Sequence, residues 1–327
     1  MSKESVVVVT GASSGIGRAT ALRFAKKGNS LVLASRRARA LDELVEECEA
    51  LGAEAIAVPT EVTEEESVEA LGRAAEARFG RIDVWVNVAG TSVFAFFDEV
   101  PLTDFRRVID VNLFGVVHGA RTALEVFTRQ GRGVLINVSS ILGEVPQPYT
   151  AAYSMSKAAV NALGGSLRSE LALKRQKKVH VVTVMPATID TPFFRHGANY
   201  TGRRLLAMPP VYSPDLVARK IVAAVGHPKP EIIVGALGKT LVREHRRHPR
   251  PVEAQLGLQT EAMQLSPTQD APFTAGTLFA TNDDPDDPQV TGGWHGKARN
   301  TKRNLLVAAV GAGILAVVLN KSGKDSR

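Results

Sequence analysis

The first seventeen residues dictate how this chain begins to fold. Val6–Val9 is an unbroken β-branched run, and the string TGASSGIG follows at once over residues 10–17. Valine favours extended backbone, while glycine lets a chain turn sharply and approach a neighbour closely. Apolar residues at helical spacing then run from Gly15 to Lys27 and stop before Gly28. A strand, a glycine turn and a helix in that order predict the first unit of a parallel α/β sheet.

The alternation continues. Strands are expected at LVLAS (31–35), AIAVP (55–59), IDVWVNVAG (82–90), VLINVSS (134–140), VHVVTVMP (179–186) and EIIVG (231–235). Helices are expected over 38–51, from the third strand through Ala77, over 102–129 and over 151–175. Such an order predicts a parallel sheet covered on both faces. The segment from Pro192 to Pro214 reads as a loop, with Phe193, Phe194, Leu205 and Leu206 placed to cap a cleft. Residues 252–304 read as irregular, being rich in Gln, Thr, Pro, Asp and Gly. The division expected is 1–240 for the main domain with its cap loop, 241–304 for a basic patch and irregular extension, and 305–319 for an anchoring helix.

At 327 residues and 44% hydrophobic, the chain can build one large core with additions. Four Tyr and two Trp argue against a stacking surface for nucleic acid, and no zinc-finger or RNA-binding motif is present. Cys48 is the only cysteine, which excludes an intrachain disulfide and a thiolate zinc site. His118 and His180 read as structural, and no histidine–carboxylate spacing makes a metal site. MSKES leads straight into the first strand with no apolar leader, which points to a cytoplasmic catalytic domain. Leu305–Leu319 is fifteen residues without a charge, with Lys302 and Arg303 before it and Lys321 and Lys324 after it. As a helix it would reach about 22 Å, short of the roughly 30 Å hydrocarbon core. Flanking cations can snorkel, so a membrane anchor is expected here. A helix packed on the domain or on a partner subunit is the other reading. The basic patch REHRRHPR (243–250) could meet anionic lipid or simply face solvent.

Thr10, Gly11, Gly15 and Gly17, with Ser13, Ser14 and Ile16, lie where a strand end meets a helix start. Free amides and positive potential there suit a dinucleotide phosphate. Glycine turns also serve architecture, but this one directly follows a strand. The second strand ends in Ser35, Arg36 and Arg37 rather than in an acidic residue. Serine and arginine can hold a ribose 2′-phosphate, which points to NADP(H). Glu61 and Val62 are placed to flank adenine, and Asn87, Ala89 and Gly90 to line the central crevice.

Tyr153 and Lys157 stand four residues apart on one helix face. A free phenol has a pKa near 10, and a close ammonium should lower it. Tyr153 could then give a proton to a reduced carbonyl or take one from an alcohol. Ser140 could hydrogen-bond the same substrate oxygen. Lys157 could also hold the cofactor ribose, and Asn112 could anchor a water in a proton relay.

These pieces, TGASSGIG, NVAG at 87–90, Asn112, Ser140 and YSMSK at 153–157, resemble the classical short-chain dehydrogenase/reductase (SDR) family. The likeness covers about residues 5–235. It implies a Rossmann-like αβα sandwich with a seven-stranded parallel sheet, and a homodimer or homotetramer. It also implies that Ser140 polarises substrate, that Tyr153 is the acid/base and that Lys157 lowers its pKa and binds ribose. Asn112 supports the relay, and Arg36 looks like the basic residue of NADP-preferring members. Ile189 and Thr191 resemble positions contacting the nicotinamide amide, after the turn at Pro186. Two departures are Val88 in place of a second Asn and Ala187 in place of a glycine. The extra C-terminal residues weakly resemble those of a longer bacterial subgroup.

Phe94, Phe96 and Phe97, with Phe193 and Phe194, could form an apolar rim, so a lipophilic carbonyl or alcohol is expected. Two rivals remain at this point. One is NAD-dependent epimerisation or dehydration of a nucleotide-linked sugar. The other is non-catalytic NADP(H) sensing by a membrane-tethered protein, against which the intact Ser140, Tyr153 and Lys157 argue.

Overall fold

The computed structural model describes residues 5–281 and 290–294. Eleven strands and ten α-helices follow one another among them. In chain order the strands are β1 (Val6–Thr10), β2 (Ser30–Ser35), β3 (Ala55–Pro59), β4 (Val84–Asn87), β5 (Val93–Phe94), β6 (Gly133–Val138), β7 (Val179–Pro186), β8 (Ala198–Asn199), β9 (Arg203–Leu205), β10 (Glu231–Val234) and β11 (Leu265–Asp270). The helices are α1 (Gly15–Ala25), α2 (Ala38–Ala50), α3 (Glu65–Phe79), α4 (Leu102–Ile109), α5 (Gly115–Gln130), α6 (Ala151–Leu173), α7 (Phe193–His196), α8 (Pro214–Gly226), α9 (Ala236–Arg247) and α10 (Pro249–Met263).

Seven strands form one parallel sheet in the order β10-β7-β6-β4-β1-β2-β3. The order reverses between β1 and β4, and ligands of such sheets bind outside the strand ends at that point. Val7, Val9, Leu31, Leu33, Val84 and Val86 pack on one face against α1, α2 and α8; Val8, Val32, Trp85 and Leu135 pack on the other against α3 and α5. Alternation along fully buried strands explains the near-continuous apolar runs in the sequence.

The helices expected over 102–129 are α4 and α5, with residues Asp110–Phe114 forming a π-helix between them. Two expectations need correction. The segment 192–214 is not simply loop, since it holds α7, β8 and β9. Residues beyond 252 are not uniformly irregular, because α10 and β11 occupy most of 249–270. Val242, Val252 and Leu256 bury themselves against Ile141 and Met185 in a separate core cluster. Burial at three-to-four-residue spacing thus makes a helix of a segment whose polar composition suggested none. β11 pairs antiparallel with β9. The basic patch lies on α9 and the start of α10, where Arg246 meets Glu144 at 2.9 Å and His245 meets Glu253 at 3.0 Å.

Among the described residues no helix is long and apolar enough to cross a membrane. The segment 305–319 lies outside them.

Candidate active site

The glycine turn builds the first half of the site. Gly11 has φ of +65°, and a Cβ there would lie 2.7 Å from the Ala89 backbone. A Cβ on Gly17 would come within 2.1 Å of the Gly11 carbonyl oxygen. Side chains at these positions would break the contact between the turn, α1 and the NVAG segment. Ser14 is the N-cap of α1, and its side chain makes no capping bond. The first amides of α1 therefore face the cleft as unused donors. Thr10 does not line the cleft but supports it, its Oγ1 accepting from Val88 N at 3.2 Å and from Ala89 N at 3.4 Å.

Gly11, Ser13, Ser14, Gly15, Ile16, Gly17, Ser35, Arg36, Arg37, Glu61, Val62, Ala89, Gly90 and Thr191 all line one cavity. Asn87, expected in its wall, is instead buried below it. Its Nδ2 donates to Asn137 Oδ1 at 2.9 Å, and its Oδ1 accepts from Trp85 Nε1 at 2.8 Å. The side chain of a strand residue points to one face, and here that face is the core. Thr91 Oγ1, behind the same wall, is buried and has no hydrogen-bond partner among the described residues. A glycine cradle and free helix amides fit a dinucleotide phosphate.

The end of the cleft beside β2 carries more than the sequence disclosed. Arg36 donates to the carbonyls of Thr277 and Leu278 at 2.6 and 3.2 Å. Arg107, from α4, donates to Leu278 O at 2.9 Å and to Glu61 Oε2 at 2.6 Å. Burial pulls the Glu61 carboxyl upward, but the Thr63 amide and Arg107 outweigh it and hold the acid below its usual range. Arg37 donates to Ser13 Oγ at 3.1 Å. Neither Arg107 nor residues 277–278 could be assigned here from local spacing, because they arrive from remote segments.

Ser140, Tyr153, Lys157, Pro186, Ile189 and Thr191 line a second cavity that shares Ile16, Val88 and Gly90 with the first. Ser140 caps the 3-10 turn Ile141–Gly143, its Oγ accepting from Leu142 N at 3.1 Å. That turn packs on α6, and Ser139 Oγ donates to Lys157 O at 2.9 Å. These contacts fix α6 against the end of β6. Lys157 Nζ donates to Val138 O at 3.0 Å and lies 5.6 Å from the Tyr153 ring centre.

The expected lowering of the Tyr153 pKa is not what this geometry gives. Burial pushes the phenol up to about 12, and a hydrogen bond with Ser140 opposes the shift. Burial pushes the Lys157 ammonium down to about 8. Desolvation dominates both groups, and the Lys157 ammonium is directed to the Val138 carbonyl.

Asn112 sits in the π-helix and is fully buried. Its Oδ1 accepts from Thr91 N at 2.8 Å, while Nδ2 donates to Thr91 O at 2.9 Å and to Ser156 Oγ at 3.1 Å. It joins the cleft wall to α6 and does not line either cavity. Phe94, Phe193 and Phe194 reach the second cavity, with Phe193 5.4 Å from the Tyr153 ring centre. Phe96 and Phe97 do not; they are exposed and stack on Tyr149 and Phe105. Gln147, Met208, Leu241, Leu256 and Gln264 complete the wall without having been expected there.

With this arrangement described, its relatives can be compared. The family "short chain dehydrogenase" matches residues 5–199. The uncharacterized oxidoreductase YxnA of Bacillus subtilis (strain 168) is 34% identical over 322 residues, covering 96% of this chain and 90% of that one. The 3beta-hydroxysteroid dehydrogenase 1 of Eggerthella lenta is 38% identical over 223 residues, covering 66% of this chain and 84% of that one. A Burkholderia phymatum SDR in complex with NAD superposes with a TM-score of 0.68 at 27% identity, covering 76% of this chain and 94% of that one. A Thermococcus sibiricus alcohol dehydrogenase complexed with 5-hydroxy-NADP gives 0.62 at 28%, covering 71% and 96%. The family match spans more than half of the chain, and YxnA extends the likeness through the C-terminal additions: this protein is an oxidoreductase of the short-chain dehydrogenase family.

Proposed function

We propose that the protein is an NADP(H)-dependent oxidoreductase that interconverts a lipophilic carbonyl and the corresponding secondary alcohol. The observation that carries the reaction class is the convergence of Ser140, Tyr153 and Lys157 on one cavity that continues into the glycine cradle. A nicotinamide cofactor, when bound, supplies or accepts the hydride. The chain's own residues manage the proton. With a pKa near 12 the Tyr153 phenol keeps its proton at neutral pH and can give it to a carbonyl oxygen as that oxygen gains charge. Ser140 orients the same oxygen, Lys157 places positive charge behind the phenol and holds ribose, and Asn112 positions the cleft wall and relay. The protonated phenol is the form that reduction uses, and the phenolate the form that oxidation uses.

The NADP preference rests on Ser35, Arg36 and Arg37 at the end of β2, with Arg107 alongside. The NAD and 5-hydroxy-NADP complexes of the two structural neighbours leave both cofactors within reach of the fold. The apolar walls from Phe94, Phe193 and Phe194 support a lipophilic substrate, as does the likeness to a protein named for a hydroxysteroid. Exposed Phe114 and Leu102 near α4 and α5 suit a homodimer or homotetramer. The uncharged segment 305–319 and its flanking cations support membrane association.

The test is turnover of NADPH against a panel of lipophilic ketones by wild type and by Tyr153→Phe. The variant should bind cofactor within about twofold of wild type yet lose at least about 100-fold in kcat, the scale of a lost proton donor. Turnover within a few-fold of wild type removes Tyr153 from the mechanism.

A further inference from the structure

The cavity beside Tyr153 is walled mostly by apolar groups, and among its polar residues are two glutamines that Ser140 and Tyr153 leave unused. Gln147 and Gln264 both line it and are 7% and 4% exposed. Gln147 precedes α6, whereas Gln264 stands between α10 and β11, 117 residues further along. Their side chains are joined by one hydrogen bond, Gln147 Nε2 donating to Gln264 Oε1 at 2.7 Å. The backbone of Gln264 is fully engaged: its N–H donates to Thr260 O at 2.9 Å and its carbonyl accepts from Leu206 N at 2.8 Å.

A glutamine amide carries two donor hydrogens and an oxygen with two lone pairs. One mutual bond therefore leaves a carbonyl oxygen on one amide and N–H on the other. Exchanging O and N in both amides leaves the same complement, so the argument does not depend on how the amides are oriented. Neither side chain has another hydrogen-bond partner among the described residues. Neither is among the polar atoms that burial seals off unpaired. Holding such groups at an apolar wall is costly unless a ligand meets them.

The cavity encloses about 160 Å³, close to the roughly 150 Å³ that accepts a benzene. Ile189 and Thr191, expected against the nicotinamide, line part of it, so with cofactor bound the remaining space takes a short chain. We infer that the Gln147–Gln264 amide pair reads a second polar group on the substrate. Resting on the reading of Tyr153 as the place of the carbonyl, this narrows the substrate to a small ketone or secondary alcohol. An apolar spacer separates that function from a hydroxyl or amide at the far end. Because Gln264 follows α10, the C-terminal addition becomes part of substrate recognition rather than an appendage. A site built to hydrogen-bond a substrate group discriminates strongly against an analogue lacking it, because its own polar groups are then stranded.

The experiment is calorimetric titration of the full chain saturated with NADP⁺, where a ketone can bind but not react. The probes are 2-alkanones of five to eight carbons and the same ketones bearing a terminal hydroxyl. At one chain length the hydroxylated ketone should bind at least about tenfold more tightly. Gln147→Leu and Gln264→Leu should each abolish that preference while leaving affinity for the plain ketone within about threefold. Gln264→Met carries the same test should the leucine variant not fold. Equal binding of both ketones by wild type at every length overturns the inference, as does a preference that survives in both variants. Turnover with NADPH separates the two readings. Selective binding without any NADPH oxidation refutes the reductase while the amide reader stands. Oxidation of NADPH without selectivity refutes the reader alone.

Discussion

At the scale of single residues, the centre is governed by desolvation. Tyr153 and Lys157 are shifted in opposite senses, each toward its neutral form, to about 12 and about 8. For reduction the acid form of Tyr153 is the working one, so the phenol imposes no loss at neutral pH. Lys157 does: as pH passes about 8 its positive charge is withdrawn. The reductive kcat/KM should therefore be level below that point and fall above it; a profile level to pH 10 contradicts the assignment. The same shift has a stability sign. The folded-state pKa of Lys157 lies below its unfolded value, so the unfolded chain binds more protons between about 8 and 10.5. The penalty for burying the ammonium is full below that window and vanishes as pH rises through it. Lys157→Met should thus melt above wild type at pH 7, with the difference shrinking toward pH 10.5. A melting temperature lower than wild type at pH 7 would mean that the bond to Val138 O outweighs desolvation.

At the scale of elements, what could be read in the sequence was what local spacing encodes. The β1–turn–α1 unit, the seven sheet strands and the Tyr153/Lys157 helix face each carry a period or a motif within a short window. The parts that could not be read depend on partners far away. The π-helix at Asp110–Phe114 has no local signature; it lets Asn112 reach both Thr91 and Ser156. α10 looked irregular because Pro249, Pro251 and Gly257 punctuate it, yet Val252 and Leu256 find a ready surface at Ile141 and Met185. The side chain of Asn87 turned out to be core, since a motif does not reveal which way each strand residue faces. The segment at 277–278 crosses the cleft to meet Arg36 and Arg107, a contact across more than 170 positions that no pattern foretells. Leu278 anchors it, fully buried against Val93, Val108 and Ala198. Leu278→Ala should loosen this strap and let both guanidinium groups wander. NADPH affinity should then weaken about fivefold, the equivalent of roughly 1 kcal/mol. Cofactor titration checks this, and an unchanged affinity would show that the strap does not orient the arginines.

At the scale of the whole molecule, one parallel sheet places the glycine turn and Tyr153 in adjoining cavities. The C-terminal additions then border both: residues 277–278 beside Arg36, Gln264 in the cavity of Tyr153, and Trp294 over the loop after β7. Trp294 N donates to Asp190 Oδ1 at 2.8 Å, and its Nε1 to Thr191 O at 3.2 Å. Removing residues 305–327 should release the protein from membranes and leave cofactor binding intact; full-length protein found wholly in the soluble fraction contradicts the anchor. Cofactor preference is the property on which the proposed reductase depends most directly. Titration of NADPH and NADH into the intact chain, followed by cofactor fluorescence, measures it for wild type and Arg36→Asp. The expected result is NADPH binding at least about tenfold tighter in wild type, with most of that margin lost in Arg36→Asp. Equal or tighter binding of NADH by wild type would contradict the assignment of Ser35, Arg36 and Arg37, and with it the NADP-dependent reductase.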